Sequence, residues 1–243
     1  MELSLPTLAV TGMLTHTALA GGLIEQLPAD GSWVRFDMIP SDSHFGSKPA
    51  PEPEVLTVSS VGVVTVDGEK CRWIELKIVP KAHEDMPRFV KYLVPEQYLT
   101  AKEDPMSHVL KLGQMDGVRF GPTNTVVEAV WSDKPDFRKV PYHMFLCGPL
   151  TKVVTLPNVS VETNLGKLDC SVVTGRYEYD GNDILAFRGT FENQLHKKAP
   201  FGVVAMRVMI ETMQDGLSYE HTTWSLSWID TGTNAKSEVP NPP

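Results

Sequence analysis

Histidines and cysteines are the residues of this 243-residue chain that could ligate a metal ion. His143 and Cys147 stand four positions apart and could share one helix face, but no further ligand is near them in the sequence. No two histidines have an HxxxH spacing, and the three cysteines include no CxxC pair. The sequence therefore predicts no metal site. The seven histidines are His16, His44, His83, His108, His143, His196 and His221.

Carboxylates and nucleophiles give no catalytic pattern either. Glu84-Asp85 and Glu103-Asp104 are paired acids, but glycosidase chemistry needs two carboxylates that face each other across a cleft. Both pairs are sequence neighbours in polar connectors. The chain has no GxSxG nucleophile elbow, no GxxxxGK[ST] phosphate loop and no GxGxxG after a strand. We therefore expect a protein that is not an enzyme and needs no cofactor.

The charge balance disfavours two classes of partner. Lys and Arg number 22 against 30 Asp and Glu, giving a formal net charge of −8. A nucleic-acid partner would require a basic face, and docking on anionic lipid would require one too. No run reaches the roughly 20 apolar residues of a membrane-spanning helix. Nothing in the sequence indicates the oligomeric state.

Tryptophan and methionine on predicted strands are the strongest candidates for a binding surface. As core residues they need no further explanation. The alternative is that some of them line an apolar cavity, since Met and Trp suit a surface that must accept flexible chains. The sequence leaves both interpretations open. The candidate ligand-lining residues are Trp33, Trp73, Met206, Trp224 and Trp228.

Three predicted hairpins position these residues. The central hairpin spans residues 61–79 around Asp67-Gly68, a dipeptide typical of tight turns. Strict alternation places Val64, Val66, Cys71 and Trp73 on one face and Val61, Val63, Ile74, Leu76 and Ile78 on the other. Two further hairpins turn at residues 180–183 and 214–216. Because long stretches with helical periodicity are scarce, we predict a mainly antiparallel β fold with about three short helices at most.

The remaining segments are predicted from local signals. A first strand covers residues 31–38, and a polar loop follows from Ser41 to Pro53. Asp104 and Pro105 predict a helix start, with Met106, Val109, Leu110 and Met115 as its apolar stripe. Residues 141–150 are compatible with a short helix. The polar tail from Thr231 to Pro243 is expected to fray.

The three cysteines, Cys71, Cys147 and Cys170, allow one disulfide if the protein is exported. Cys71 and Cys170 are the more plausible pair, because both lie in strand-like runs. The other interpretation is three buried thiols that pack as small hydrophobic residues.

The N-terminus predicts export. An apolar stretch from Leu5 to Leu14 precedes Ala18-Leu19-Ala20, a small-x-small cleavage pattern. Glu2 and the lack of a basic residue do not fit a secretion signal, so residues 1–22 are either such a signal or an ordinary apolar N-terminus. Residues 23–243 are predicted to form a single β-rich domain.

Four segments together resemble a known group of proteins: CRWIELKI (71–78), PEQYL with DPMSHVL (95–110), APFGVVAMRV (199–208) and GTNAKSEVP (232–240). Their order is similar to bacterial exported proteins of the planctomycete type, of uncharacterised function. The layout resembles the LolA/LolB-like fold. That resemblance implies a curved antiparallel sheet, half a β-barrel, with short helices closing its concave side. It also implies a periplasmic location and the binding of lipoprotein acyl chains.

Two hypotheses for function follow. The first is a non-enzymatic envelope carrier or binding protein for an apolar ligand, a lipid or a lipoprotein acyl chain. The second is a structural or interaction protein of the envelope whose half-barrel is filled by its own side chains.

Overall fold

A computed structural model describes residues 22–44, 51–99, 104–115, 129–133, 143–146, 150–180, 185–214 and 217–242. These residues form one large antiparallel sheet with short helical turns, which confirms the predicted mainly β fold. The strands are β1 (Trp33–His44), β2 (Glu54–Val66), β3 (Glu69–Pro80), β4 (Arg88–Pro95), β5 (Lys111–Met115), β6 (Val130–Ser132), β7 (Thr151–Thr163), β8 (Gly166–Asp180), β9 (Leu185–Leu195), β10 (Val203–Gln214) and β11 (Leu217–Gly232).

The strand order across the sheet is β6-β5-β4-β3-β2-β1-β11-β10-β9-β8-β7, and every paired neighbour is antiparallel. The first six strands form a meander that ends at one edge. The chain then crosses to the opposite edge, and the last five strands return until β11 pairs with β1. The sheet is therefore open, with β6 and β7 at its edges.

One face of the sheet, here called the core face, carries the main hydrophobic core. Phe36, Leu56, Leu76 and Tyr92 on four neighbouring strands are completely buried there. Phe145, from the connection between the two edges, packs into the same core, and its carbonyl accepts a hydrogen bond of 2.7 Å from the Leu23 N–H. The connection thus helps to cover the core face.

The helices in the described residues are single turns: α1 (Glu96–Leu99) and the 3-10 helices η1 (Pro105–His108) and η2 (His143–Leu146). Asp104 caps η1 as predicted, by accepting a hydrogen bond from the Met106 N–H at 3.1 Å. The predicted stripe to Met115 is wrong, because η1 ends at His108 and Met115 belongs to β5. The predicted loop from Ser41 is also wrong at its start, since β1 continues to His44.

The central hairpin forms with the predicted turn, but its two faces differ from strict alternation. The register shifts between Ser60 and Val63, where β2 contains one extra residue. Val61 therefore joins Trp73 in a small cluster, contrary to the predicted separation of these residues. Gly62 stands at the bulge with φ +143°, and a Cβ built there would lie 3.6 Å from the Trp73 indole.

The opposite face of the sheet, here called the tail face, is partly covered by residues 233–242. These residues hydrogen-bond to Glu75 and Lys91, so the prediction of a fraying tail is wrong. The sequence could not show this, because a polar tail has no periodicity and its partners lie more than 140 residues earlier in the chain.

Cys71 and Cys170 are both buried with free thiols, so of the two interpretations left open by the sequence, the disulfide between them is wrong. They lie in different clusters, Cys71 beside Trp73 and Cys170 in the main core. Packing as small hydrophobic residues is confirmed for these two cysteines. Cys147 and the predicted signal segment up to Gly21 lie outside the described residues. The domain limits stay a prediction.

Candidate functional site

A cavity of about 320 Å³ lies between the tip of β7 and the strands β9, β10 and β11. Apolar and polar side chains both contribute to its wall. The apolar residues are Val161, Val204, Ala205, Met206, Leu226 and Trp228, and the polar ones are Glu162, Thr163, Glu192, Gln194, Arg207, Ser225 and Ser227.

Strand register explains why polar residues gather here. Arg207 on β10 stands directly opposite Glu192 on β9 and Ser225 on β11. Residues that are paired across antiparallel strands share a face, so these three side chains form one polar row. Met206, one position earlier, belongs to the opposite face and is only 2% exposed. The cavity thus lies next to the hydrophobic core but does not expose the core side chains to solvent.

The β7–β8 turn supplies the remaining wall. Gly166 has φ +95°, a backbone conformation that favours glycine, and it follows Leu165 at the tip of the hairpin. The Asn164 side-chain amide donates a hydrogen bond of 3.1 Å to the Ile229 carbonyl of β11. This contact ties the tip of the hairpin to β11 and holds Val161 and Thr163 over the cavity.

The charges of the wall favour hydrogen bonding of a polar group over the capture of an anion. Glu162 and Glu192 contribute two carboxylates against the single guanidinium of Arg207, a formal balance of −1. Arg207 is exposed and forms no ion pair with any residue that the structure describes. Its five N–H donors are therefore available to a ligand that enters the cavity. Together the wall can hold an amphipathic molecule.

Met206 and Trp228 are the two predicted ligand-lining residues that the structure brings together at this cavity. The Trp228 indole N–H donates to the Asp230 carbonyl at 2.8 Å, which fixes the orientation of the ring. Trp224 pairs with Val208 and Pro40 and packs, partly buried, against the main core. Trp224 does not line the cavity.

Trp33 and Trp73 lie elsewhere, on the tail face. The Trp33 ring covers Gly232, where a built Cβ would come within 2.7 Å of it. Trp73 is 7% exposed and clusters with Cys71 and Leu93, with the Trp131 ring edge-on at 5.7 Å. The five candidates therefore do not converge on a single ligand surface.

Arg207 and Glu192 are site residues that the sequence analysis missed. Alternation in the segment around Met206 already places Arg207 on the face opposite Met206. The missing information was the register between β9 and β10, which brings Glu192 and Arg207 together. A register shift between Val203 and Ala205 makes that pairing unpredictable from turn positions alone.

Three of the groups with shifted pKa values are buried side chains, Cys71, Cys170 and Tyr92. Burial raises the pKa of the Cys71 and Cys170 thiols, so both stay protonated near neutral pH. Burial also raises the pKa of Tyr92, whose hydroxyl has no hydrogen-bond partner among the described residues. Within that same part of the chain, no three His, Cys, Asp or Glu side chains are grouped so that they could hold a metal ion.

No helix in the described ranges combines the length and apolar character needed to span a membrane. No protein-family model matches the chain, and no curated protein matches it. The predicted kinship with planctomycete-type exported proteins and with the LolA/LolB-like fold therefore gains no support from either comparison.

Two solved structures are similar at a low level. One is a candidate lipoprotein from Parabacteroides distasonis ATCC 8503, with 9% identity, a TM-score of 0.37, and coverage of 86% of this chain and 98% of that chain. The other is a candidate exported protein with a YmcC-like fold from Bacteroides fragilis NCTC 9343, with 9% identity, a TM-score of 0.36, and coverage of 86% and 99%. Similarity at this level carries no argument about the function of this chain.

Proposed function

We propose that this protein is a non-enzymatic binding protein of the cell envelope that holds a small amphipathic ligand, such as a single lipid or lipoprotein acyl chain with a polar head. The observation that carries the proposal is the mixed wall of the cavity, which includes the apolar Met206 and Trp228 and the polar Arg207, a residue with no ion-pair partner among the described residues. An apolar segment of the ligand would contact Val161 and Trp228, and its polar head would hydrogen-bond to Arg207. The envelope location rests on the predicted N-terminal signal.

The size of the cavity limits the ligand. Small-molecule sites typically measure about 300–1,000 Å³, so this cavity is at the lower end of that range. It suits one short apolar chain rather than several. The formal charge of its wall favours a neutral polar head, such as an amide or an ester, over a free carboxylate.

The two described cysteines offer no reactive thiol at the cavity. A reactive cysteine is normally exposed and has a lowered pKa, whereas the Cys71 and Cys170 thiols are buried and have raised pKa values. Neither thiol lines the cavity. The protein is therefore proposed to bind its ligand without reacting with it.

A second candidate is a structural or interaction protein of the envelope. The filled core face favours it, because large side chains there are fully buried and leave no room for a ligand. The largest are Tyr92, Phe36, Phe145, Phe191 and Phe201. This candidate would leave the cavity at β9–β11 without a function.

Filling the cavity tests the first proposal. Ala205 lines it, and Ala205→Leu adds three carbons to that wall. We expect the variant to bind a fluorescent probe with an acyl chain and a neutral head at least about tenfold more weakly. Met209→Leu is the matched control, because Met209 is on the same strand but is 43% exposed and outside the cavity. Equal probe affinity of all three proteins, or no affinity in any, would favour the structural candidate.

A further inference from the structure

The C-terminal residues 233–242, here called the strap, bind the tail face without joining the sheet. The strap begins directly after β11, where the Ala235 N–H donates a hydrogen bond of 2.8 Å to the Gly31 carbonyl. It then reaches β3 and β4, where Val239 is 1% exposed. None of its described residues belongs to a strand. Side chains of the sheet, rather than a strand ladder, therefore hold it.

Glu75 on β3 accepts three hydrogen bonds, and all three donors belong to the strap. The backbone N–H groups of Glu238 and Val239 donate to the carboxylate at 3.1 and 3.2 Å, and the Ser237 hydroxyl lies 2.7 Å from it. The side chain is only 4% exposed as a residue. A buried carboxylate is stable when hydrogen-bond donors surround it, so the strap meets the hydrogen-bonding requirement of the Glu75 carboxylate.

Lys91 on β4 donates to three acceptors, and these too belong to the strap. They are the Ser237 hydroxyl at 2.7 Å, the Val239 carbonyl at 3.1 Å and the Asn241 side-chain oxygen at 3.0 Å. Lys91 is 1% exposed, and its ammonium lies 4.9 Å from the centre of the Trp73 ring. A buried ammonium has a high desolvation cost unless its donors are satisfied. The strap therefore supplies the hydrogen-bond acceptors of Lys91, just as it supplies the donors of Glu75.

Register places Glu75 and Lys91 directly opposite each other on β3 and β4. The Ser237 hydroxyl accepts a hydrogen bond from Lys91 and lies beside Glu75, so it links the two charged groups. Beyond this residue, the pair contacts mainly backbone N–H and carbonyl groups of the strap. When a sheet edge recognises an extended peptide, main-chain hydrogen bonds provide affinity and pockets for alternate side chains provide specificity. The strap is held in a comparable way, through its main chain by Glu75 and Lys91 and through the buried Val239 side chain.

We propose that the tail face carries a peptide-binding site centred on Glu75 and Lys91, and that the strap is its exchangeable ligand. The site takes an extended segment with a hydroxyl residue, an apolar residue two positions later and a polar side chain two positions beyond that. The segment of this chain that matches is the strap sequence Ser237-Glu-Val-Pro-Asn241, so the strap of a second copy is the competing occupant. The site is separate from the cavity and does not depend on the proposed function.

A cut between Thr233 and Asn234 tests exchange. Both residues are exposed, so a specific protease site can be inserted there, and the folded chain can be cut and freed of its strap. A labelled peptide of residues 234–243 is expected to bind the cut protein saturably. Ser237→Ala and Val239→Asp peptides should bind at least about tenfold more weakly. A Lys236→Ala peptide is the matched control, because Lys236 is exposed, and it should bind like the parent peptide.

Two results would overturn the proposal. The first is a cut protein that keeps its circular dichroism spectrum but does not bind the peptide. The second is equal binding of the Val239→Asp peptide.

If the cut protein unfolds, hydrogen exchange on the intact chain tests the proposal instead. An exchangeable strap opens separately from the sheet, so the amides of Glu238 and Val239 should exchange faster than those of β9 and β10. Glu75→Gln should accelerate these two amides about tenfold or more, and Glu84→Gln, at an exposed loop position, should not. If strap amides are as slow as sheet amides in the parent protein, or unaffected by Glu75→Gln, the strap is a fixed part of the fold.

Discussion

Trp73 is a buried aromatic residue that stabilises the sheet from outside the main core. It is 7% exposed, it lies beside Gly62, and it belongs to a small cluster on the tail face. Because the bulge at Gly62 has no side chain, the indole can lie across the neighbouring strand. Trp73 does not line the cavity, so we expect it to act in packing.

Trp73→Ala is therefore expected to destabilise the protein by about 3–5 kcal/mol, the usual cost of truncating a buried Trp. Binding of the acyl-chain probe by the folded fraction should stay unchanged, because Trp73 is not part of the cavity wall. Denaturant melts and probe titrations measure the two effects. Val130→Ala, at a 72% exposed position, is the control. A loss below about 1 kcal/mol would show that the cluster does not support the fold.

Sequence alone could identify buried aromatic residues but not which of them meet. Trp33, Trp73 and Trp228 all lie on predicted strands, yet only Trp228 reaches the cavity. Which face a residue occupies depends on bulges, and those at Gly62 and Val204 change parity without a clear sequence signal. For this physical reason the sequence could not show which of the candidate residues lie together.

The turn α1 is fixed to the sheet by a largely buried ion pair. Arg72 on β3 donates to the Glu96 carboxylate through Nε and Nη2, at 2.9 and 2.5 Å, and through Nη1 to the Pro28 carbonyl at 2.6 Å. Burial alone would raise the pKa of Glu96, but hydrogen bonds from Arg72 and Lys70 outweigh it and lower the pKa below its usual value. The ionised carboxylate thus stabilises the folded state.

The contribution of Glu96 to the free energy of unfolding depends on pH. A carboxyl group whose pKa is lowered by folding contributes stability above its unfolded pKa and loses it as the pH falls through the folded value. Glu96→Gln should cost about 1–3 kcal/mol at pH 7, and the difference from the parent should shrink below about pH 4. Urea melts at pH 7 and pH 3 test this, with Glu84→Gln as an exposed control. A pH-independent difference would contradict the ion-pair account.

The edge strand β7 has exposed apolar side chains, but it also has a proline and an irregular register that oppose pairing with a strand of another molecule. Val154 is 53% exposed, and Leu156 and Val159 are each 38% exposed, which makes this edge attractive to another strand. Pro157 removes one N–H, and a register shift between Leu156 and Val159 bends the strand at the same place. We infer that Pro157 protects the open sheet from edge-to-edge association.

Pro157→Thr is expected to raise self-association, because it restores an N–H donor and favours a regular strand. Sedimentation velocity across a concentration series should show larger species than the parent protein forms at the same concentration. Pro53→Thr, just before β2, is the control for loss of a proline. Identical distributions for all three proteins would show that β7 is not restrained by Pro157.

Local elements of the sheet were predictable, whereas their global order was not. The hairpins β2–β3, β8–β9 and β10–β11 follow from local turn signals and alternation. The pairing of β1 with β11 joins residues almost 200 positions apart, and no local pattern encodes it. The same holds for the strap, whose contacts with Glu75 and Lys91 depend on the assembled sheet.

At the scale of the whole molecule, several buried groups are protonated in the folded state. Burial raises the pKa values of Cys71, Cys170 and Tyr92, so each group contributes stability below its unfolded pKa and loses it as the pH rises. Burial lowers the pKa of Lys91, and the nearby Glu75 carboxylate partly opposes that shift. A lowered pKa of a lysine increases the free energy of unfolding as the pH rises, so Lys91 acts against the other three groups. The upward shift of the pKa of the completely buried Tyr92 is the largest of the four, so we expect a net loss of stability as the pH rises.

The free energy of unfolding is therefore expected to decrease from about pH 8.5 upwards and to continue decreasing above pH 10. Denaturant melts in a pH series measure it, with a reducing agent present throughout. The Cys71→Ser and Cys170→Ser variants should show a shallower decrease, since Ser does not ionise in this range. A flat profile in the parent protein up to pH 10 would contradict the buried, protonated state of these groups.

Native mass spectrometry of the protein purified without detergent or added lipid shows directly whether the chain holds a ligand. We expect a bound species of small mass in addition to the chain, which Ala205→Leu reduces and Met209→Leu leaves unchanged. The amphipathic cavity wall around Met206, Arg207 and Trp228 is the reason for that expectation. A bare chain mass for the parent protein, together with no uptake of the acyl-chain probe, would contradict the binding function.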